Sequence, residues 1–167
     1  MSKHILQNYS ISVDGKGYAG EIGKYTPPDT SLSTEEYRAG GMDAPILREM
    51  GMEAMEAKFV FKTYHYDVLA LFGVAEGQVV PFVARGALKG IDGSIVPIKH
   101  TLRGLVTKMT RPDWEAGKGS EPELTLSIQY FKEEINGKRV IEIDVENMIR
   151  FNGDVDILTA VRAALGI

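Results

Sequence analysis

A chain of 167 residues is the length of one ordinary domain, long enough to bury about 70% of the surface its unfolded form exposes. Its apolar (44%) and charged (25%) fractions are globular averages, which excludes a disordered or membrane-class composition, and a net charge of −4 without clustered Lys and Arg excludes a surface built to grip duplex DNA. With no cysteine there is no disulfide framework and no thiolate metal site, while 18 glycines among short Val, Ile and Tyr runs point to strands and turns.

The start, Met1-Ser-Lys-His-Ile-Leu6, lacks the apolar stretch of an export signal, and no segment approaches a membrane span, so no membrane anchor is expected. Tyr9 to Asp14 alternates and meets Asp14-Gly15, which suits a hairpin turn; Tyr18 to Tyr25 then reads as a second strand. From about residue 26 to 50 the chain carries Pro27-Pro28, Gly40-Gly41 and Pro45 with no sustained period, which predicts a long irregular arm. Met55, Ala57, Phe59 and Phe61 alternate with Glu56, Lys58 and Lys62, a strand with one buried side.

Asp67 to Phe72 reads as one short helix ended by Gly73. Val79 to Leu88 and Ile95 to Met109 form a hairpin around Asp92-Gly93, followed by a polar loop, Arg111 to Pro122, around the only tryptophan, Trp114. Leu124, Leu126, Ile128 and Tyr130 alternate strictly up to Asn136-Gly137, and Ile141, Ile143 and Val145 alternate with Glu142, Asp144 and Glu146 beyond it. Asp154 to Leu165 places Ile157, Leu158, Val161 and Leu165 on one helical face, with Asp154 and Asp156 near the N-terminal dipole and Gly166 past the end. The expected fold is mainly β, a barrel or sandwich of about eight strands, with one short internal helix and a C-terminal amphipathic helix, in a single domain spanning residues 1–167.

Candidate chemistry is sparse. Gly15-Lys-Gly-Tyr-Ala-Gly20 matches a dinucleotide-binding spacing but leads into another strand and then Pro27-Pro28, where a phosphate site needs a helix start; the motif reads as a hairpin. His4, His65 and His100 lie on three separate elements without metal-ligand spacing. Glu133-Glu134, Glu142 and Asp144 could supply paired carboxylates, and Glu142 and Asp144 share a strand face, but alternating acids opposite an apolar face are ordinarily a solvated face. The methionines Met42, Met50, Met52 and Met55 read equally as an adaptable binding surface or as loop and core packing. No catalytic residue, cofactor or metal is expected.

Several blocks share one resemblance: Glu36 to Pro45, Met50 to Phe59, Ala84 to Gly90, Leu102 to Leu105, Trp114 to Gly117, Tyr130-Phe131 with Asn136-Gly137, Ile141 to Arg150, and Asn152 to Gly166. On them the chain resembles the major tail tube proteins of contractile-tailed bacteriophages and R-type pyocins, nearly end to end and most weakly over residues 1–35 and 74–80. The resemblance implies a non-enzymatic subunit forming hexameric rings that stack head to tail inside a contractile sheath. Its implied partners are copies of itself, the sheath, the baseplate and tail terminator proteins, and DNA that passes through without specific binding. It places the protein in a virion tail, assembled in the host cytoplasm. Expected intersubunit or inter-ring residues are Tyr37, Arg38, Gly40, Gly41, Met42, Asp43, Met50 and Trp114; expected lumen-lining residues are Glu142, Asp144, Arg85 and Lys99. The alternatives are a type VI secretion tube protein, which shares this fold, or a monomeric ligand-binding β-barrel, which would need an apolar cavity with convergent polar groups.

Overall fold

A computed structural model describes residues 3–18, 21–73 and 78–167. Among them are twelve strands and two short helices. The strands are β1 (His4–Val13), β2 (Lys16–Gly17), β3 (Ile22–Thr26), β4 (Leu32–Tyr37), β5 (Ile46–Met52), β6 (Met55–Phe61), β7 (Val80–Gly90), β8 (Ile95–Thr110), β9 (Glu123–Ile135), β10 (Lys138–Asp144), β11 (Ile149–Asn152) and β12 (Val155–Asp156). The helices are α1 (Tyr66–Leu69) and α2 (Thr159–Leu165). All pairing is antiparallel.

The main sheet runs in the order β12-β11-β10-β9-β8-β7-β1-β2, and β6 and β3 branch from β9. The branch arises because β8 and β9, at 16 and 13 residues, are too long for one layer. Residues Ile95 to Gly104 of β8 pair with β7, whereas Leu105 to Thr110 pair only with β9. Along its other edge β9 pairs with β6 through Glu123 to Ile128 and with β10 through Tyr130 to Ile135. Register shifts at Arg103/Gly104 and Val106/Lys108 bend the ladder between these halves, as bulges do. A Cβ on Gly104 would strike the Ser127 carbonyl, so the close approach at the bend requires glycine.

The bend folds β3 and β6 over β1, β7 and β8, and the core fills the space between. Phe59 stacks on Tyr25 and on Phe82, each pair of rings 4.9 Å apart, with Ile11, Leu102, Val106, Leu124, Leu126 and Phe131 around them. The predicted alternation is visible directly: Met55, Ala57, Phe59 and Phe61 are buried, and the lysines and glutamates between them are not. Asn136 (φ 52°) and Gly137 (φ 75°) make the tight turn expected between β9 and β10.

Five expectations change. Twelve strands replace about eight, because β11, β12, the short β2 and the two arm strands have too few residues or too many polar ones to show a period. The predicted strand Tyr18 to Tyr25 is not one strand: β2 pairs with β1, β3 pairs with β6, and Ala19 and Gly20 lie outside the described residues. The arm is not irregular, since β4 and β5 pair into a separate two-stranded ribbon whose cross-strand partners include Tyr37 with Ile46 and Glu36 with Leu47. The internal helix starts at Tyr66 and closes at Ala70, a single turn. At the C-terminus, residues 149–156 form a small hairpin before α2, so Asp156 lies in β12, where it pairs with Arg162 and accepts the Leu158 N–H; Asp154 lies in the intervening turn. None of the α2 residues is buried.

Phe59→Ala is expected to cost about 3–5 kcal/mol in denaturant unfolding, because it empties the centre of the ring stack. Gly104→Ala is expected to cost about 1–3 kcal/mol by overpacking at the bend.

Candidate functional site: a polar sheet face and two protrusions

Alternation and register sort the side chains of the main sheet onto two faces. Phe82, Leu102, Phe131 and Ile143 point to the core. Arg85 stands opposite Lys99, Lys99 opposite Glu134, Thr101 opposite Lys132, Lys132 opposite Glu142, and Tyr130 opposite Asp144, all on the other face. The structure therefore brings Arg85, Lys99, Glu142 and Asp144 together on one continuous surface, four strands wide from β7 to β10. Arg103, Lys132 and Arg139 belong to it as well, although sequence reading did not single them out, and so does Glu134, which it read among the paired carboxylates. Their alternation was legible, but which strands were neighbours was not.

This face is of mixed charge and largely self-paired. Arg139 donates to Glu142 at 2.6 Å and its guanidinium lies 3.7 Å from the centre of the Phe151 ring. Lys132 lies 3.3 Å from Glu134, and Arg103 sits 4.2 Å over the Tyr130 ring. The Tyr130 hydroxyl donates to Glu142 at 2.8 Å. Burial and that bond push the Tyr130 pKa up to about 12. Burial alone would raise Glu142, but the hydrogen bonds from Arg139 and Tyr130 outweigh it and hold the carboxylate below its ordinary value.

The remaining sequence-predicted residues lie on two protrusions. Tyr37 ends β4 under the Arg48 guanidinium, 5.2 Å from the ring centre. Arg38 Nε donates to the Met42 carbonyl at 3.2 Å and the Ala39 N–H reaches Met42 Sδ at 3.3 Å, which closes the tip around Gly40, Gly41 and the exposed Asp43. Met50 is exposed on β5, while Met55 is core and Met52 packs against it, so the methionine cluster divides between surface and packing. Near its base the ribbon is fastened by Glu49, which pairs with the buried Arg150 of β11. Trp114 is 86% exposed, its Nε1 donating to the Tyr64 hydroxyl at 3.2 Å. The arm joins the body at Thr26 and Met55, whereas the tryptophan loop joins it beside Phe61, whose N–H donates to Pro122 O. The two protrusions thus leave opposite ends of β6, about 20 Å apart.

One polar cluster was not foreseen. The Tyr25 hydroxyl lies 3.0 Å from His100 Nδ1, and His100 Nε2 lies 2.8 Å from a Glu133 carboxylate oxygen. The nearby carboxylate favours the proton on Nε2, so Nδ1 accepts from Tyr25, while the Nε2–Glu133 contact is a close approach without hydrogen-bond alignment. Tyr25 is raised mainly by burial, and burial lowers His100 although Glu133 opposes it. The cluster borders an open apolar slot of about 490 Å³ lined by Leu6, Tyr9, Leu88 and Ile98. His65 makes a separate pair with Glu21 at 2.8 Å, and His4 is exposed, so the three histidines do not converge.

A bent β-sandwich with an outward polar face, an open strand edge and two protrusions is a body built for assembly with other subunits. The chain belongs to the phage tail tube protein FII family, which it matches over residues 3–166, and it is a structural tail tube subunit, a component of a virion or phage-like particle. It is 24% identical to the tail tube protein of Escherichia phage P2 over 166 residues, 97% of this chain and 96% of that one. It is 23% identical to the major tail tube protein of Serratia phage KSP20 over 146 residues, 86% and 84% of the two chains. Its fold is similar to a chain of the sheath-tube complex of an extracellular contractile injection system (TM-score 0.58, 14% identity, 76% of this chain and 88% of that one). It is also similar to a chain of the anti-feeding prophage tube-terminating cap (TM-score 0.60, 12% identity, 79% and 92%).

Because the folded His100 titrates below its ordinary value of 6.5, the unfolded chain takes up that proton first. The stability it contributes is complete above about pH 6.5 and is lost as pH falls below it. Glu142 and Asp156, also depressed, add losses only below the ordinary carboxylate range. The urea midpoint is expected to drop between about pH 7.5 and 5.5, and His100→Gln is expected to flatten that slope.

Proposed function

We propose that this chain closes into six-membered rings that stack head to tail into the inner tube of a contractile tail or phage-tail-like injection particle. The observation that carries the reading is where the unfinished surfaces lie. β2 covers β1 at Ser12 and Val13 and the Tyr18 N–H takes the Ile11 carbonyl, so among the described residues His4 to Ser10 leave a strand edge open, and the opposite edge ends in the short β12. A sheet with one long open edge hides it by pairing with a copy of itself, and a contact between two different edges of one chain closes into a ring. The arm and the tryptophan loop, at opposite ends of β6, suit contacts between successive rings, which repeat without closing and so make a tube.

In this reading the polar face of β7 to β10 lines the lumen. Glu142 and Asp144 supply acid there, and Arg85 and Lys99 stand among them. Arg139 and Lys132 are engaged by Glu142 and Glu134, and the carboxylates among the remaining cations keep the face of mixed charge, which fits DNA that slides without being held. The function has no catalytic step: residues act by shape, edge pairing and charge, and the subunits assemble in the host cytoplasm. Sheath, terminator and baseplate proteins are the remaining partners. Support for them comes from the fold's neighbours, which include chains from a sheath-tube complex, a sheath/tube terminator and a baseplate.

Negative-stain electron microscopy of the concentrated protein, beside light scattering on a sizing column, is expected to show hollow six-fold rings or tubes. A protein that stays monomeric and binds a small apolar ligand in its slot would overturn the reading. Deletion of residues 30–48 is expected to abolish tubes while leaving the body folded; normal tubes from that variant would remove the arm from the assembly contacts.

A further inference from the structure

Two apolar surfaces of this subunit lack a partner within it. The first is the slot where the sheet formed by β1, β7 and β8 extends past the end of β3. Leu6, Leu88 and Ile98 stand on the core side of that overhang, but no second layer covers them, and Leu6 is 53% exposed. Gly86 lies between Leu6 and Ile98, and a Cβ there would meet both side chains, so the slot's floor is kept low by the absence of one. The second surface is the outer half of the arm. Ile46 and Leu47 are 58% and 62% exposed on opposite faces of the ribbon, with Tyr37 beside Ile46. A two-stranded ribbon standing alone in water is marginally stable at best, so burial against another body is what keeps this one ordered.

We infer that the outer arm of one subunit seats the ribbon face that carries Tyr37 and Ile46 in the apolar slot of a second copy. Placement within the fold supports the pairing. Glu49 and Arg150 hold the ribbon against β11, near one edge of the main sheet, while the slot opens beside β1, near the other. Two different surfaces at opposite edges of one chain repeat from copy to copy in the same sense, the geometry that closes a ring or propagates a stack. Charge supports it as well. The outer arm carries Glu35, Glu36 and Asp43 against Arg38 and Arg48. Lys24 lines the slot, so a ribbon with an acidic excess meets a basic side chain there. The inference rests on the tube reading, since it requires copies to meet in a fixed order.

The chain contains no cysteine, so introduced thiols report on their own. Leu6→Cys would be purified separately from Leu47→Cys and from Ile46→Cys, single variants mixed pairwise, assembled and oxidised. The expected result is a disulfide-linked dimer from Leu6→Cys mixed with Ile46→Cys, weaker with Leu47→Cys on the other ribbon face and absent from each variant alone, because a bond needs Cα atoms within about 7 Å. The dimer should disappear when Leu88→Arg is added to the slot variant. Rings or tubes that form normally without this cross-link, or that link the arm variants to Val161→Cys on α2 instead, would overturn the inference and leave the tube reading standing. Absence of any ring or tube would overturn both.

Discussion

The β8–β9 pair is shared by both layers of the sandwich, and everything else in the subunit is placed relative to it. One half of the pair extends the β7 and β1 sheet; the other half carries β6 and β3. The bend between the halves depends on Gly104 approaching the Ser127 carbonyl more closely than any side chain would allow. From it follow the stacked rings of Tyr25, Phe59 and Phe82, which close the core, and the separation of a buried face from a polar one. An antiparallel sheet with one face solvated needs such a second layer on the other, and here the chain makes it from the same two strands.

The consequence for assembly is that the subunit is finished inside and unfinished outside. Its core is closed by large buried aromatics, yet among the described residues it leaves a strand edge unpaired, an apolar slot uncovered, the outer half of a ribbon exposed and a helix with no buried residue. A monomer that kept these exposed in water would risk edge-to-edge aggregation. A subunit whose edges meet their complements in fixed order turns the same exposure into specificity. The polar face differs: Lys132 with Glu134 and Arg139 with Glu142 are paired within the chain, and the side chains there are charged or polar and suited to water.

The Tyr25–His100–Glu133 cluster joins β3, β8 and β9 across the two layers near the mouth of the slot. Its physical effect is to fix the end of the second layer where the core gives way to the open slot, through the Tyr25 hydrogen bond to Nδ1 and the close approach of Glu133 to Nε2. Buried polar contacts of this kind set geometry more than they add stability.

The amino-acid sequence by itself determined the strands whose side chains alternate and the turns that join them. Met55 to Phe61 and Leu124 to Ile128 were legible because a half-buried strand must alternate, and Asn136-Gly137 because few other dipeptides accept two positive φ angles, whereas Tyr130, expected to continue the buried period, lies on the polar face because the register shifts past Gln129 and brings Phe131 into the core. It also carried the blocks that resemble tail tube proteins, and so the class of the molecule. It did not show that β4 and β5 pair, because Glu35, Glu36, Arg48 and Glu49 interrupt any apolar period in a ribbon that has no core to face. It did not show the C-terminal hairpin, whose strands of four and two residues are too short for a period to appear. Only the tertiary structure decided that Arg85, Lys99, Glu142 and Asp144 share one face, that His100 meets Tyr25 from 75 residues away, and that the arm and the tryptophan loop leave opposite ends of the body. Those facts depend on which strands become neighbours, and that is settled by where the long β8–β9 pair bends, a matter of packing that no local pattern records.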